Sequence, residues 1–447
     1  MCEPNNPNRS VGPDAPFARG LAEIRTGRRS LLSAGGAGVV LSTAAGSAVA
    51  GRGKPGKRKP RFPRRRAYVL VIDGCRPDEI AADVTPNLLA LRDGGYRFPR
   101  ASSMPIMETI PNHVMMMTGV RPDRSGVPAN SIFDRSLGET RDMDRASDIK
   151  VRTIIERLNR SGYRTGTVLS KEYLYGVFGE RATARWEPAP IIPVSGHAPD
   201  VFTMEAALAM LEDVDPHLMF VNLGDIDRVG HSDLTGPLGL KAARRAALAQ
   251  TDAQIGRFVD ALKSSGRWSR SMLVVLADHS MDWSAPDKVI TLTGPLEADP
   301  LLAGNVQIAQ NGGAELLYWT GPAAQRKAAI ARMQAIAAGV PGVMKAPART
   351  KSWLRLGREA GDVVVFCEAG WRFSDPNPVS SNPIPGNHGH PATRQIPFFL
   401  SGGHKAIPKR KSSPRHARTV DVAPTLAAFF KVGKPRGGYD GFNRLAN

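Results

Sequence analysis

Acids and imidazoles recur in this 447-residue chain just after short apolar runs. "YVLVIDG" ends on Asp73. "LMFVNLGDIDRVGH" carries Asp225, Asp227 and His231. "MLVVLADH" ends on Asp278 and His279, and the late stretch "PGNHGHP" adds His388 and His390. Carboxylates and imidazoles gathered at several strand ends repel and desolvate one another unless a cation sits among them. A mixed oxygen and nitrogen donor set suits Zn2+ or Mn2+ rather than Ca2+. One Asp-x-x-x-His alone is more often a surface pair; the ordered combination carries the weight.

"SMPIMETIPNHVMMMTG" raises a second chemical question. Thr109 stands just ahead of a proline-started helix. It is an acceptable helix cap. It is equally a candidate nucleophile, because a helix N-terminus favours phosphate and a β-branched side chain keeps its oxygen aimed. A threonine hydroxyl is too weakly acidic to attack at neutral pH without help, and a bound metal supplies that help. Asn112 and His113 read as residues that shape the turn.

These residues need a scaffold. "RAYVLVIDG", "DPHLMFVNLGDID" and "SMLVVLADHSMD" read as buried parallel strands. Between them lie helical stretches: "PNLLALRDGG", "IPNHVMMMTG", "IIERLNRSG" and the long "PLGLKAARRAALAQTDAQIGRFVDALKSSGRW". Alternation of this kind predicts an α/β fold with a largely parallel sheet, and ligands of such sheets sit beyond the carboxyl ends of the strands. From about 285 to 375 the rhythm changes to short strands around one Ala-rich helix, which predicts a smaller cap insertion. The alternation resumes with "QIPFFLSGG" and "TVDVAPTLAAFF".

The formal charge is +19, which favours anionic partners and says nothing about fold. Residues 52–66 hold nine Lys or Arg and no acid. This block reads as a disordered tether, assigned to 51–66, able to contact anionic wall polymer or lipid headgroups. Only Phe62 interleaves with it, so specific nucleic-acid recognition is not expected. Residues 1–50 read as an export leader of the twin-arginine type: Arg28-Arg29, a Gly/Ala-rich apolar stretch, then Ala48-Val49-Ala50. Export to the periplasm, cell envelope or medium follows as an expectation. Three cysteines, Cys2, Cys75 and Cys367, make neither a disulfide framework nor a zinc-thiolate site.

Taken in order, "VIDGCRPD", "TIPNH", "GVPANS", "DIDRVGH", "ADHSM", "GNHGH" and "DVAPTLAAFF…GYDG" resemble the alkaline phosphatase superfamily, and most closely its type I phosphodiesterase/nucleotide pyrophosphatase branch. The resemblance covers about 67–442 and implies a three-layer α/β/α sandwich. It implies two divalent ions, Zn2+ or alternatively Mn2+. Asp227, His231 and His388 would hold one; Asp73, Asp278 and His279 would hold the other, which Thr109 also contacts. Asn130 matches the asparagine that binds a phosphoryl oxygen. With such a centre the nucleophile reading of Thr109 is preferred over the cap. The implied activity is hydrolysis of a small phosphate ester, such as a nucleotide, through a phosphothreonine. Ser280 stands where glycine is usual, and His390 where an aromatic is common. Asp225 is extra and competes on paper with Asp227. Phosphomonoester or phosphonate hydrolysis is the alternative within the superfamily, and a non-catalytic wall-binding protein the alternative outside it. A sulfatase lacks its C/S-x-P-x-R context here, and the leader disfavours a phosphoglycerate mutase. Tyr173, Tyr175 and Phe178 read as packing residues rather than a base-stacking pocket.

Overall fold

Every residue of the strand Arg66–Ile72 is buried, as a strand at the centre of a parallel sheet must be. The computed structural model describes residues 65–191, 196–232, 236–375 and 385–445. Arg66–Ile72 lies parallel between Leu218–Leu223 and Ser271–Leu276. Thr165–Val168 and then Ala184–Trp186 extend the parallel part beyond Leu218–Leu223. On the other flank Phe398–Ser401 runs antiparallel to Ser271–Leu276, and Tyr96–Arg97 and Lys411–Ser412 complete an eight-stranded sheet.

Strand alternation puts helices on both faces. Tyr68 packs edge-on to Phe258 of the helix Gly236–Ser264, with ring centres 5.2 Å apart. The next residue, Val69, is in register with Phe220, so these two share the opposite face. Phe220 meets Phe178 there at 5.9 Å, in the helix Glu172–Phe178. The architecture is therefore α/β/α, as expected.

A separate sheet occupies the late insertion. Val306–Asn311, Ala314–Trp319, Val363–Cys367 and Val343–Lys345 form four antiparallel strands with the helix Arg326–Gly339 against them. Leu317, Trp319, Met333, Val365 and Phe373 make its core. Its hairpin turn touches the main domain: the Gly313 amide donates to the His388 carbonyl at 2.5 Å, and Asn311 bonds both backbone groups of Ser131.

The leader and almost all of the basic tether fall outside the described residues. The tether's expected last residue, Arg66, belongs instead to the first strand. Its guanidinium is held 2.6 Å from Asp215, which compensates the charge of this one residue. Cys75 and Cys367 are both free and buried. Among the described residues, no helix is long and apolar enough to cross a membrane.

Candidate metal and nucleophile site

Three neighbouring parallel strands, Ser271–Leu276, Arg66–Ile72 and Leu218–Leu223, end side by side. Adjacent strands lie about 4.8 Å apart, so the acids following each strand are forced together. Asp73 follows one of them directly, and Asp278 follows another after one intervening residue. After the third, the chain turns at once into the helix Asp225–Ser232 rather than prolonging the strand. In a helix, residues four apart share a face. Asp227 and His231 therefore face the same point, with His231 Nε2 3.3 Å from Asp227 Oδ1. Gly74 makes this crowding feasible. Its φ is +71°, and a Cβ on it would meet the Asp227 Cβ at 3.0 Å.

Donor atoms converge from five segments. His279 Nε2 lies 3.7 Å from Asp73 Oδ1, 3.5 Å from Asp278 Oδ2 and 3.1 Å from Thr109 Oγ1. His388 Nε2 lies 3.8 Å from Asp227 Oδ1 and 3.0 Å from His231 Nε2. Asp73 Oδ1, Asp227 Oδ1 and Asp278 Oδ2 are buried and have no hydrogen-bond partner among the described residues. Orphaned carboxylate oxygens at such depth are costly without a cation.

The imidazoles make the same point. His231 Nδ1 lies 2.8 Å from the Gly386 carbonyl, and His388 Nδ1 lies 3.2 Å from the Met107 carbonyl. Each Nδ1 therefore carries the hydrogen, leaving both Nε2 atoms bare in the neutral rings. Two bare nitrogens at 3.0 Å repel unless a proton or a metal ion lies between them. Burial alone would depress His388, but Glu108 beside it prevails and pushes it up to about 9. Without an ion, a proton can fill that role. His279 donates from Nδ1 to the Ser280 carbonyl at 3.0 Å, and burial holds it below the usual range, so its Nε2 is free to ligate. Tetrahedral bonds of about 2.0–2.2 Å separate ligand atoms by roughly 3.3–3.6 Å, and the contacts here, 3.0 to 3.8 Å, bracket that spacing. The side chains fit divalent cations in two overlapping groups: Asp73, Asp278 and His279; and Asp227, His279 and His388.

Lys171 was not singled out in the sequence. It is fully buried, 2.8 Å from Asp73 Oδ2 and 2.7 Å from Asp227 Oδ2. Burial would strip its proton, but Asp227 and Asp73 outweigh burial and hold its pKa above the ordinary value. Burial pushes Asp73 up, reinforced by Asp278; for Asp227 burial is overcome by Lys171 and His231, which hold it well below the usual range. The signal was available: Lys171 follows the strand Thr165–Val168 just as the acids follow theirs. Asn222, also unremarked, donates to Asp73 Oδ2 at 2.9 Å.

Thr109 is the first residue of the helix Thr109–Thr118, and Glu108 occupies the cap position, so the cap role expected as one option does not fall to Thr109. Asn130 Oδ1 accepts from the Ile110 amide at 2.8 Å, which sets that side chain against the same helix start. Asn112 ties down the loop before the helix through Met104, Ile106 and Glu108. His113 Nδ1 donates to the Thr109 carbonyl at 2.8 Å. Asp225 turns away from the cluster, to His197 at 3.2 Å and the Asp200 amide at 3.1 Å. His390 is engaged by Asp282 at 2.9 Å, and the Ser280 hydroxyl bonds the Gln395 carbonyl. Phe178 is core; Tyr173 and Tyr175 are half-buried.

With this geometry established, relatives can be compared. The chain is 26% identical over 254 residues to bovine bis(5'-adenosyl)-triphosphatase ENPP4, covering 52% of this chain and 51% of that one. It is 26% identical over 199 residues to human ectonucleotide pyrophosphatase/phosphodiesterase family member 1, covering 41% and 20%. The chain thus spans about half or less of the curated relatives it matches. Murine ENPP5 superposes with a TM-score of 0.68 at 18% identity, over 83% of this chain and 96% of that one. Phosphonoacetate hydrolase from Sinorhizobium meliloti 1021, in complex with phosphonoformate, does so at 0.63 and 18%, over 83% and 95%. At that identity these two structures speak for the fold alone. A family model, type I phosphodiesterase/nucleotide pyrophosphatase, matches residues 67–390, and the chain belongs to that family, within the alkaline phosphatase superfamily.

Proposed function

We propose that this protein is a metal-dependent hydrolase of phosphate esters, acting as a phosphodiesterase or nucleotide pyrophosphatase with Thr109 as nucleophile. The observation that carries the reading is the position of Thr109 Oγ1, 3.1 Å from His279 Nε2 among the orphaned carboxylate oxygens. Asp73, Asp278 and His279 would hold one ion, with Thr109 beside it; Asp227, His231 and His388 would hold a second. The donor mixture favours Zn2+, with Mn2+ the alternative. Bound ions lower the hydroxyl's pKa and offset charge on the phosphoryl oxygens. The Thr109 proton is lost to solvent and its oxygen bonds to phosphorus. The leaving-group oxygen departs with the electron pair and takes a proton. Water then cleaves the phosphothreonine, releasing phosphate product and restoring the hydroxyl. Asn130 and the Thr109 backbone amide hold the equatorial oxygens as charge builds. Lys171 fixes Asp73 and Asp227 in place and favours the ionised form of each.

Nucleotides suit the family, and a murine ENPP5 inactive variant was solved with AMP. A phosphonate substrate is the second reading. A phosphonoacetate hydrolase of this fold was solved with phosphonoformate, and the Arg228 guanidinium, 5.6 Å from the Tyr173 ring, adds positive charge near Asp73 and Asp227. Turnover of bis-p-nitrophenyl phosphate, p-nitrophenyl phosphate and phosphonoacetate separates diesterase, monoesterase and phosphonatase; no turnover of any of them supports a binding protein. The twin-arginine-type leader and the ecto- names of the relatives support export, and the basic tether suits anionic wall polymer or lipid headgroups.

A further inference from the structure

Glu108 is an acid in an unexpected place. It sits at the cap of the Thr109 helix but does not cap it, and it is 3% exposed. A carboxylate so deeply buried must find compensation. Its two oxygens divide the task. Oε1 lies 3.0 Å from His388 Nδ1, whose hydrogen also faces the Met107 carbonyl at 3.2 Å, and makes no well-aligned hydrogen bond among the described residues. Oε2 accepts from Asn130 Nδ2 at 2.5 Å. The surroundings are cut to fit: a Cβ on Gly312 would come within 3.1 Å of Oε1, and one on Gly389 within 2.8 Å.

The two contacts have different consequences. At His388 the carboxylate joins the Met107 carbonyl in favouring the hydrogen on Nδ1, which leaves Nε2 toward Asp227 and His231. Carboxylate, imidazole and metal in line form an arrangement that raises ligand basicity and fixes ring orientation. At Asn130 the Oε2 contact, with the Ile110 amide on Oδ1, decides which way round the amide sits. One N–H is then spent on Glu108, and the other remains for a phosphoryl oxygen.

We infer that Glu108 is a positioning residue that couples the metal ligand His388 to the phosphoryl-binding Asn130, so that one carboxylate sets both ion affinity and substrate orientation. The inference rests on the proposed metal-centre reading. It gives the cap position of the helix a duty that neither capping nor nucleophilic attack requires.

The test is zinc affinity of the full-length protein, measured by chelator competition on wild type, Glu108→Gln and Glu108→Ala, with circular dichroism to follow folding. Glu108→Gln keeps the shape, so it carries the test if Glu108→Ala does not fold. Zinc binding is expected to weaken about 10–100-fold, and KM for bis-p-nitrophenyl phosphate to rise through Asn130. In a His388→Ala background, Glu108→Gln should cause no further loss of zinc. Wild-type affinity in a folded Glu108→Gln protein overturns the inference, as does an undiminished loss in the His388→Ala background. Wild-type protein that binds no zinc at all removes the metal reading and this inference with it.

Discussion

Thr109 differs from an ordinary helix-start threonine in what surrounds its oxygen. A hydroxyl within hydrogen-bond reach of a neutral imidazole, which itself adjoins carboxylate oxygens that lack partners among the described residues, is placed for chemistry rather than capping. Thr109→Ala should cut turnover by about 10³-fold or more while leaving zinc content and the circular dichroism spectrum in place; near-normal turnover would remove it as nucleophile. Lys171 gives a prediction of another kind. Removing one partner of a buried ion pair strands the charges left behind, at a cost of about 3–5 kcal/mol. Lys171→Met should therefore lower the melting temperature of chelator-treated protein strongly. Zinc-loaded protein should lose less, because the ions restrain Asp73 and Asp227. An equal loss in both states would show that Lys171 does not share those carboxylates with metal.

Elements decide which of the polar residues can meet. Asp225 and Asp227 are two apart. On a strand they would share a face, and on a helix they point about 200° apart. The sequence left open which acid faces the cluster because it left open where the strand ends; the helix Asp225–Ser232 sends Asp225 to His197 and Asp227 inward. The strands themselves were legible, since runs such as "YVLVI" and "MLVVL" permit little else. The chemistry at their ends was legible where the residue types were unusual for a core. Lys171 and Glu108 were not, because a lysine or glutamate near a helix start ordinarily faces solvent, and only packing reveals that these two are enclosed.

The second sheet offers a pH test. Glu315 in Ala314–Trp319 is fully buried, and burial, then Asp375, push its pKa well above the usual carboxylate range. A folded-state pKa above the unfolded one gives stability that is whole below about pH 4.3 and lost as pH rises toward the folded value. Glu315→Gln lacks this penalty. Its melting temperature should gain on wild type as pH rises from 5 to 8, whereas a constant difference across that range would show that Glu315 does not titrate there.

At the scale of the whole molecule, a cluster drawn from five distant segments ties the sheet, the Thr109 helix and the His388 loop to one point. Any ion that binds there stabilises all of them at once. Zinc at 100 times its dissociation constant should add about 2.7 kcal/mol of stability, read as a rise in melting temperature that a chelator reverses. The ordered motifs carried the α/β/α fold and the family at this scale because each marks a strand end or a helix start. The insertion's short strands and Ala-rich helix were legible, but not their joining in one four-stranded antiparallel sheet, since no single strand records which distant strand it pairs with. The most direct test of the central claim is anomalous diffraction at the zinc edge from crystals of the zinc-loaded protein. Two peaks are predicted, one touching Asp73, Asp278, His279 and the Thr109 oxygen, the other touching Asp227, His231 and His388. An empty cluster, or zinc bound elsewhere with Thr109 untouched, would contradict the account.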